Sequence, residues 1–434
     1  MMLTNRSSSS VRSNNNNNNK NSKRNGKENA VIIFKVFLFL FFSRFLRNVY
    51  DINKTVQSGD DDENVFLVGD AEEEVKMSNH DEDDAIDVIK RIEKLSNAVG
   101  PMRTLDPFLF CVYHSDQYPE GDEFMGLKNG DTGTGNHFHS SVPYRFYHGH
   151  KIPGFPRHPH RGFETITATI EGIIDHADSI GNAGRYGEGD LQWMTAGKGI
   201  QHGEMFPLIN ADKGNPSRFF QIWLNLPKKS KMSEPAFVMH WKNEVKKIKT
   251  ENDVAEITIF TGSFGSNESS TLERPENSWA NTDENDVGIF YFELKKTNSK
   301  VFVPRANIAN EANRYLYFIE GEAIQIGEIV IRNRHGIELD AAKDFYVKNV
   351  GDDDDALCAF LILQGRPIKE PVASHGPFVM NTEEEIRQSF ADYERTEFGS
   401  WRKFWHQNDV VFPRWKKRFM RVNGIETFAP LIDS

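Results

Sequence analysis

HPHRGFET, residues 158–165, decides how the rest of the chain is read. His158 and His160 stand two apart, so an extended backbone projects both imidazoles from one face. Downstream, GKGIQHGEM (197–205) repeats that spacing with His202 and Glu204. Two such pairs on neighbouring strands converge on one point and bring three imidazoles and one carboxylate together. The donor set suits iron, manganese, nickel, copper or zinc, and ligand type does not choose among them. Each histidine alone reads as a surface or hydrogen-bonded residue; it is the two spacings together that supply a coordination geometry. Glu164 shares strand parity with His158 and His160. It has two readings: a metal ligand, or a group that orients a ligand imidazole or lines the pocket.

Working outward, strand-like runs recur: FETITATI (163–170), RFFQIWLNLP (218–227), EITIFTG (256–262), VGIFYFEL (287–294), RYLYFIEG (314–321) and LCAFLILQG (357–365). Turns containing Gly, Asn and Asp separate them, which is an all-β pattern. Gly189 and Asp190 make a turn, LQWM a short strand, and Gly197 and Gly199 a tight turn, so a hairpin is expected to deliver His202 and Glu204. Two series of runs, about 104–235 and 250–372, predict two similar barrels in tandem, because closing each sheet removes its edges. NTEEEIRQSFADYERTEF (381–398) predicts a helix. Thr382 and Glu385 form a capping box, Ile386, Phe390 and Tyr393 share a face, and the helix is expected to pack back on a barrel.

The ends differ from this body. Residues 1–29 are Ser, Asn, Arg and Lys, with an Asn run at 14–19, and are expected to be disordered. The apolar stretch 31–42 carries Lys35 and is short for a membrane span. Behind a basic, acid-poor start it reads as a secretory or organelle targeting segment, or else as an ordinary apolar helix. Membrane contact is expected only through this segment, and without targeting the cytoplasm or nucleus remains. Residues 51–87 are acidic and read as a solvated linker. With 52 basic against 63 acidic residues the net charge is -11, which opposes binding to a phosphate backbone, so direct nucleic-acid binding is not expected. Cys111 and Cys358 lie in separate apolar runs without C-x-x-C spacing and read as buried thiols. The resulting division is 1–90 targeting segment and linker, 91–240 metal-binding barrel, 241–395 second barrel with its helix, and 396–434 aromatic and basic tail.

LDPF (105–108), HPHRGFET, GDLQWMTAGKGIQHGEM (189–205), FQIWLNLP (220–227) and EPVASHGPFVMNTEEEI (370–386) together resemble signatures of the pirin family in the cupin superfamily. The resemblance runs from about residue 104 to 390. It implies a bicupin, two double-stranded β-helix (jelly-roll) barrels, whose first barrel binds iron as Fe2+ through His158, His160, His202 and Glu204. It places Glu204, not Glu164, on the metal, and other divalent transition metals remain compatible. It further implies an activity like quercetin 2,3-dioxygenase. There Glu204 would also be catalytic, accepting the 3-hydroxyl proton of a flavonol before dioxygen cleaves the ring and carbon monoxide leaves. The alternative it implies is a redox-responsive adaptor, or transcriptional cofactor, acting through protein partners. A metal-binding scaffold with neither role is the plain third reading.

The chain departs from the family pattern in places. Gly203 stands where members often carry Ala or Ser, a loss of bulk that should not disturb coordination. An insertion at about 115–150 contains His137, His139, His148 and His150, and reads as a surface loop or as a second metal site. PRWKKRFMR (413–421) reads as a basic patch for an acidic partner or nuclear signal, or as a tail docked through Trp401, Phe404, Trp405, Trp415 and Phe419. The second barrel offers only His335, with His375 beyond it, and is expected to serve as a packing partner.

Overall fold

Branched and aromatic residues bounded by Gly and Asp turns give a succession of short strands. In the first half these are β1 (Ile89–Lys94), β2 (Phe108–Tyr118), β3 (Gly154–His160), β4 (Phe163–Glu171), β5 (Ile173–Asp178), β6 (Ala183–Gly187), β7 (Leu191–Thr195), β8 (Ile200–Met205), β9 (Asn215–Asn225) and β10 (Ala236–His240). The structure, a computed structural model, describes residues 88–430 except 96–99, 129–142, 251–253, 266–267 and 354–355. The expected targeting segment and acidic linker, and His137 and His139, lie outside the described residues.

One sheet of the first barrel runs β10-β7-β4-β9-β2, and the facing sheet contains β6-β5-β8-β3. The expected hairpin between β7 and β8 is not formed. β7 pairs with β4 and β10, whereas β8 pairs with β3 and β5. The Gly197–Gly199 turn instead carries the chain from one sheet to the other, the jelly-roll solution to closing two layers.

β11 (Lys246–Lys249) and β12 (Ala255–Thr261) begin the second barrel, whose larger sheet runs β1, 335–339, 313–320, 358–365, 288–294, β12, β11. A four-stranded sheet of 300–303, 345–349, 323–326 and 329–332 faces it. β1 precedes every strand of the first barrel in sequence, yet it forms the edge of the second barrel's sheet, with Ile92 opposite Ile337. The barrels meet sheet on sheet. Ile166, Ala168, Phe220 and Ile222 pack with Ile289, Tyr291, Leu361 and Leu363 in one buried cluster. Both central sheets are therefore covered on two faces, which is why their strands read as continuous apolar runs rather than alternating ones. Cys111 lies in this cluster, Cys358 lies in the second barrel's core, and both are free thiols whose pKa burial raises.

Helix α1 (Glu383–Thr396) starts at the expected capping box, with the Glu385 amide donating to Thr382 Oγ1 at 3.2 Å and the Thr382 amide to Glu385 Oε2 at 3.0 Å. It packs on the first barrel: Arg161 reaches Asp392 at 2.9 Å, and Phe390 and Tyr393 join Phe378 and Phe398. The tail that follows completes that barrel. Phe419–Val422 pairs with β6 and turns back through Ile425–Phe428. Trp401, Trp405, Phe412 and Phe419 are buried against Ala177 and Ala183, whereas Phe404 and Trp415, also expected as anchors, are exposed, Trp415 by 81%. Four of the five basic residues are engaged within the fold: Lys416 and Arg421 with Glu426, Arg418 with Asp190, and Arg414 with the Asp122 carbonyl. No helix among the described residues is long and apolar enough to cross a membrane.

Candidate metal centre

The β3–β8 ladder sets His158 directly opposite His202, after a register shift between Phe155 and His158. His160 follows two residues on, so the three rings gather with centroids 4.4–4.9 Å apart. One nitrogen from each lies within 4.8 Å of the others. All three side chains are buried. His158 donates Nδ1–H to the Pro156 carbonyl at 2.9 Å, which leaves Nε2 with its lone pair. Burial lowers all three pKa values, that of His158 to about 4, with the Pro156 carbonyl working against it. The imidazoles are therefore neutral near pH 7, the form that binds a metal.

Glu204 sits beside this trio, Oε2 3.9 Å from His202 Nε2. Three side chains hold its carboxylate: Gln221 Nε2 donates to Oε2 at 2.7 Å, while Thr167 Oγ1 and Tyr186 OH donate to Oε1 at 3.1 and 3.5 Å. Burial raises its pKa against the pull of those donors and of His176. The donor set fits a transition metal. His160 Nδ1 and both ring nitrogens of His202 are buried without a hydrogen-bond partner, and such unpaired groups are costly unless something binds them.

Glu164 does not face the trio. Between β3 and β4 the chain turns at Gly162, whose φ is +87° and where a Cβ would lie 1.9 Å from the Val379 carbonyl. The turn breaks the strand parity, and Glu164 points at the second barrel, accepting from Thr195 Oγ1 at 2.6 Å and Ser278 Oγ at 2.5 Å. Of the insertion, the described end docks on the barrel. Tyr147 is buried and donates to Asp116 Oδ2 at 2.7 Å, and His148 lies against Phe155 with its pKa lowered by burial to about 4, while His150 is exposed. His335 donates its Nδ1–H to the Arg332 carbonyl at 2.9 Å and has no part in the trio. Reasoning from sequence missed Thr167, Tyr186 and Gln221, which belong to separate strands. It also missed His176 on β5, although His176 and Asp178 repeat the two-residue spacing of the other pairs.

Comparison with known proteins agrees with this fold. Residues 90–224 match the family model described as Pirin, and 298–399 the one described as Pirin C-terminal cupin domain. A pirin-like protein of Caulobacter vibrioides is 37% identical over 247 residues, 57% of this chain and 81% of that protein. Human pirin is 32% identical over 259 residues, 58% of this chain and 80% of that protein. A Pseudomonas aeruginosa protein provisionally named a quercetin 2,3-dioxygenase is 31% identical over 248 residues, 56% of this chain and 79% of that protein. The crystal structure of quercetin 2,3-dioxygenase from Acinetobacter baumannii shares the fold, with a TM-score of 0.53 and 22% identity over 72% of this chain and 96% of that one. With both of its cupin barrels matched and three histidines meeting in the first, the chain belongs to the pirin family.

Proposed function

We propose that the protein is an iron-dependent oxidoreductase of the quercetin 2,3-dioxygenase type, acting on a flavonol-like substrate with dioxygen. The buried histidine trio flanked by a hydrogen-bonded carboxylate carries this reading. His158, His160, His202 and Glu204 would hold the iron, which supplies open coordination positions for substrate and for dioxygen chemistry. Glu204 has a second task, accepting the 3-hydroxyl proton of the flavonol. Its burial suits that task, because a carboxylate with a raised pKa is a stronger base once ionised. Gln221, Thr167 and Tyr186 keep the carboxylate aimed, so its position does not depend on the metal alone. The names of relatives support the same substrate class. Metal analysis of the purified protein, followed by oxygen-electrode assays with flavonols, tests the proposal. Stoichiometric iron without flavonol-dependent oxygen uptake would overturn the enzyme and leave a metal-binding scaffold.

One observation favours a second reading, the redox-responsive adaptor. Residues next to the ligands hold the outer elements: the Arg157 amide donates to the Asn408 carbonyl at 2.8 Å, and Arg161 pairs with Asp392 of α1. A change at the ligands thus has a short path to the surface. The adaptor reading expects amide exchange in α1 to differ between ferrous and ferric protein, and identical protection in both would sink it.

A further inference from the structure

Beside the trio lies a second pair of buried polar groups with no assigned role. On the inner face of the barrel His176 is directly opposite Glu204, and Asp178 directly opposite His202. Neither His176 nor Asp178 is exposed to solvent. Both ring nitrogens of His176 lack a hydrogen-bond partner, as does Asp178 Oδ2, and His176 Nε2 is 3.8 Å from that oxygen. The His176 ring lies 5.3 Å from the His202 ring, inclined by 52°, and rests on Phe237 at 5.0 Å. Asp178 is itself fixed, because its Oδ1 accepts from the Ile180 and Asn182 amides at 3.0 and 2.9 Å.

The accounting at His202 closes in one way with these neighbours. A metal takes one of its nitrogens, and the N–H on the other then needs an acceptor; His158 has the Pro156 carbonyl for this purpose, and His202 has none. We propose that His176 is a positioning residue for the metal: it accepts the remaining N–H of His202 on one ring nitrogen and donates the N–H of the other to Asp178 Oδ2. Each imidazole passes on a single N–H along this chain, and the Asp178 oxygen is the final acceptor. Groups that orient a metal-bound histidine from behind fix its ring and raise its basicity. Asp178 and His176 would do so through a second imidazole rather than by direct carboxylate contact.

The inference rests on the metal site proposed above, and the experiment separates the two. The full chain, stripped of metal, is titrated with Co(II), reading affinity and the visible ligand-field bands, while the unfolding temperature of the metal-free protein is recorded. His176→Phe should lower Co(II) affinity roughly 10- to 100-fold and shift the bands. The metal-free protein should be as stable as wild type or more so, because Phe fills the same space without unpaired nitrogens. His176→Gln, which carries an acceptor and a donor on one side chain, should recover part of the affinity. Wild-type affinity and bands in both variants would overturn the proposal. So would a fall in unfolding temperature matching the loss of affinity in both, which marks a merely structural residue. His202→Ala is the control: if it binds Co(II) like wild type, the metal site itself has been misread.

Discussion

His158 and His202 face each other across two strands, so removing either imidazole opens the trio from one side. His158→Ala and His202→Ala should each lose most of the bound metal, as checked by elemental analysis of metal per chain. The two carboxylates part company here. Glu204→Gln keeps a carbonyl oxygen beside the imidazoles but cannot take a proton; oxygen uptake should fall roughly 10²- to 10⁴-fold while metal content falls only modestly. Glu164→Gln should leave metal content and oxygen uptake near wild type, because its carboxylate faces Thr195 and Ser278 instead. A Glu164 variant stripped of metal beside a fully loaded, active Glu204 variant would reverse the assignment. Gly203, between His202 and Glu204, needs no side chain omitted for them: a Cβ there would meet the Arg157 amide nitrogen and the Asn408 carbonyl at 3.4 Å, ordinary contact. The three histidines were legible from spacing alone, since period-two projection survives any strand. The place of Glu164 was not, because one glycine turn resets the parity on which the reading depended.

At the scale of elements, β4 lies between two barrels, and Glu164 titrates there. Burial raises its pKa from 4.5 to about 7, outweighing the two hydroxyl donors. Below pH 4.5 folded and unfolded chains both hold this proton, and the group costs nothing. Between pH 4.5 and about 7 the unfolded chain releases it while the folded one keeps it, so stability falls as pH rises. Above pH 7 the full cost stands, on the order of 3 kcal/mol. Glu164→Gln should therefore gain stability relative to wild type at pH 8 and little at pH 5, measured by urea unfolding at both. An equal difference at the two values would show that Glu164 does not titrate in this range. The start of α1 was legible because a capping box is local: Thr382→Ala should cost about 1 kcal/mol, read as a lower unfolding temperature. The β7–β8 crossing was not, because a tight turn says that the chain reverses but not which sheet receives it.

For the whole molecule, the two barrels exchange elements. β1 closes the edge of the second barrel, and the tail strand Phe419–Val422 extends the first, burying Trp401 and Phe419. A chain beginning at Val88 should keep its metal and its cooperative unfolding, whereas one ending at Phe398 should lose solubility, because Ala177 and Ala183 would lose the aromatic residues that cover them. Thermal unfolding and metal content of the two truncations check this. Two tandem barrels could be read from recurring strands, yet these exchanges could not, since pairing between distant segments leaves no local pattern. The exchange also sets an order in time. During synthesis β1 leaves the ribosome long before residues 335–339 exist to receive it, and β6 is made long before Phe419–Val422 can pair with it, so each exchanged edge stands unpaired for a time.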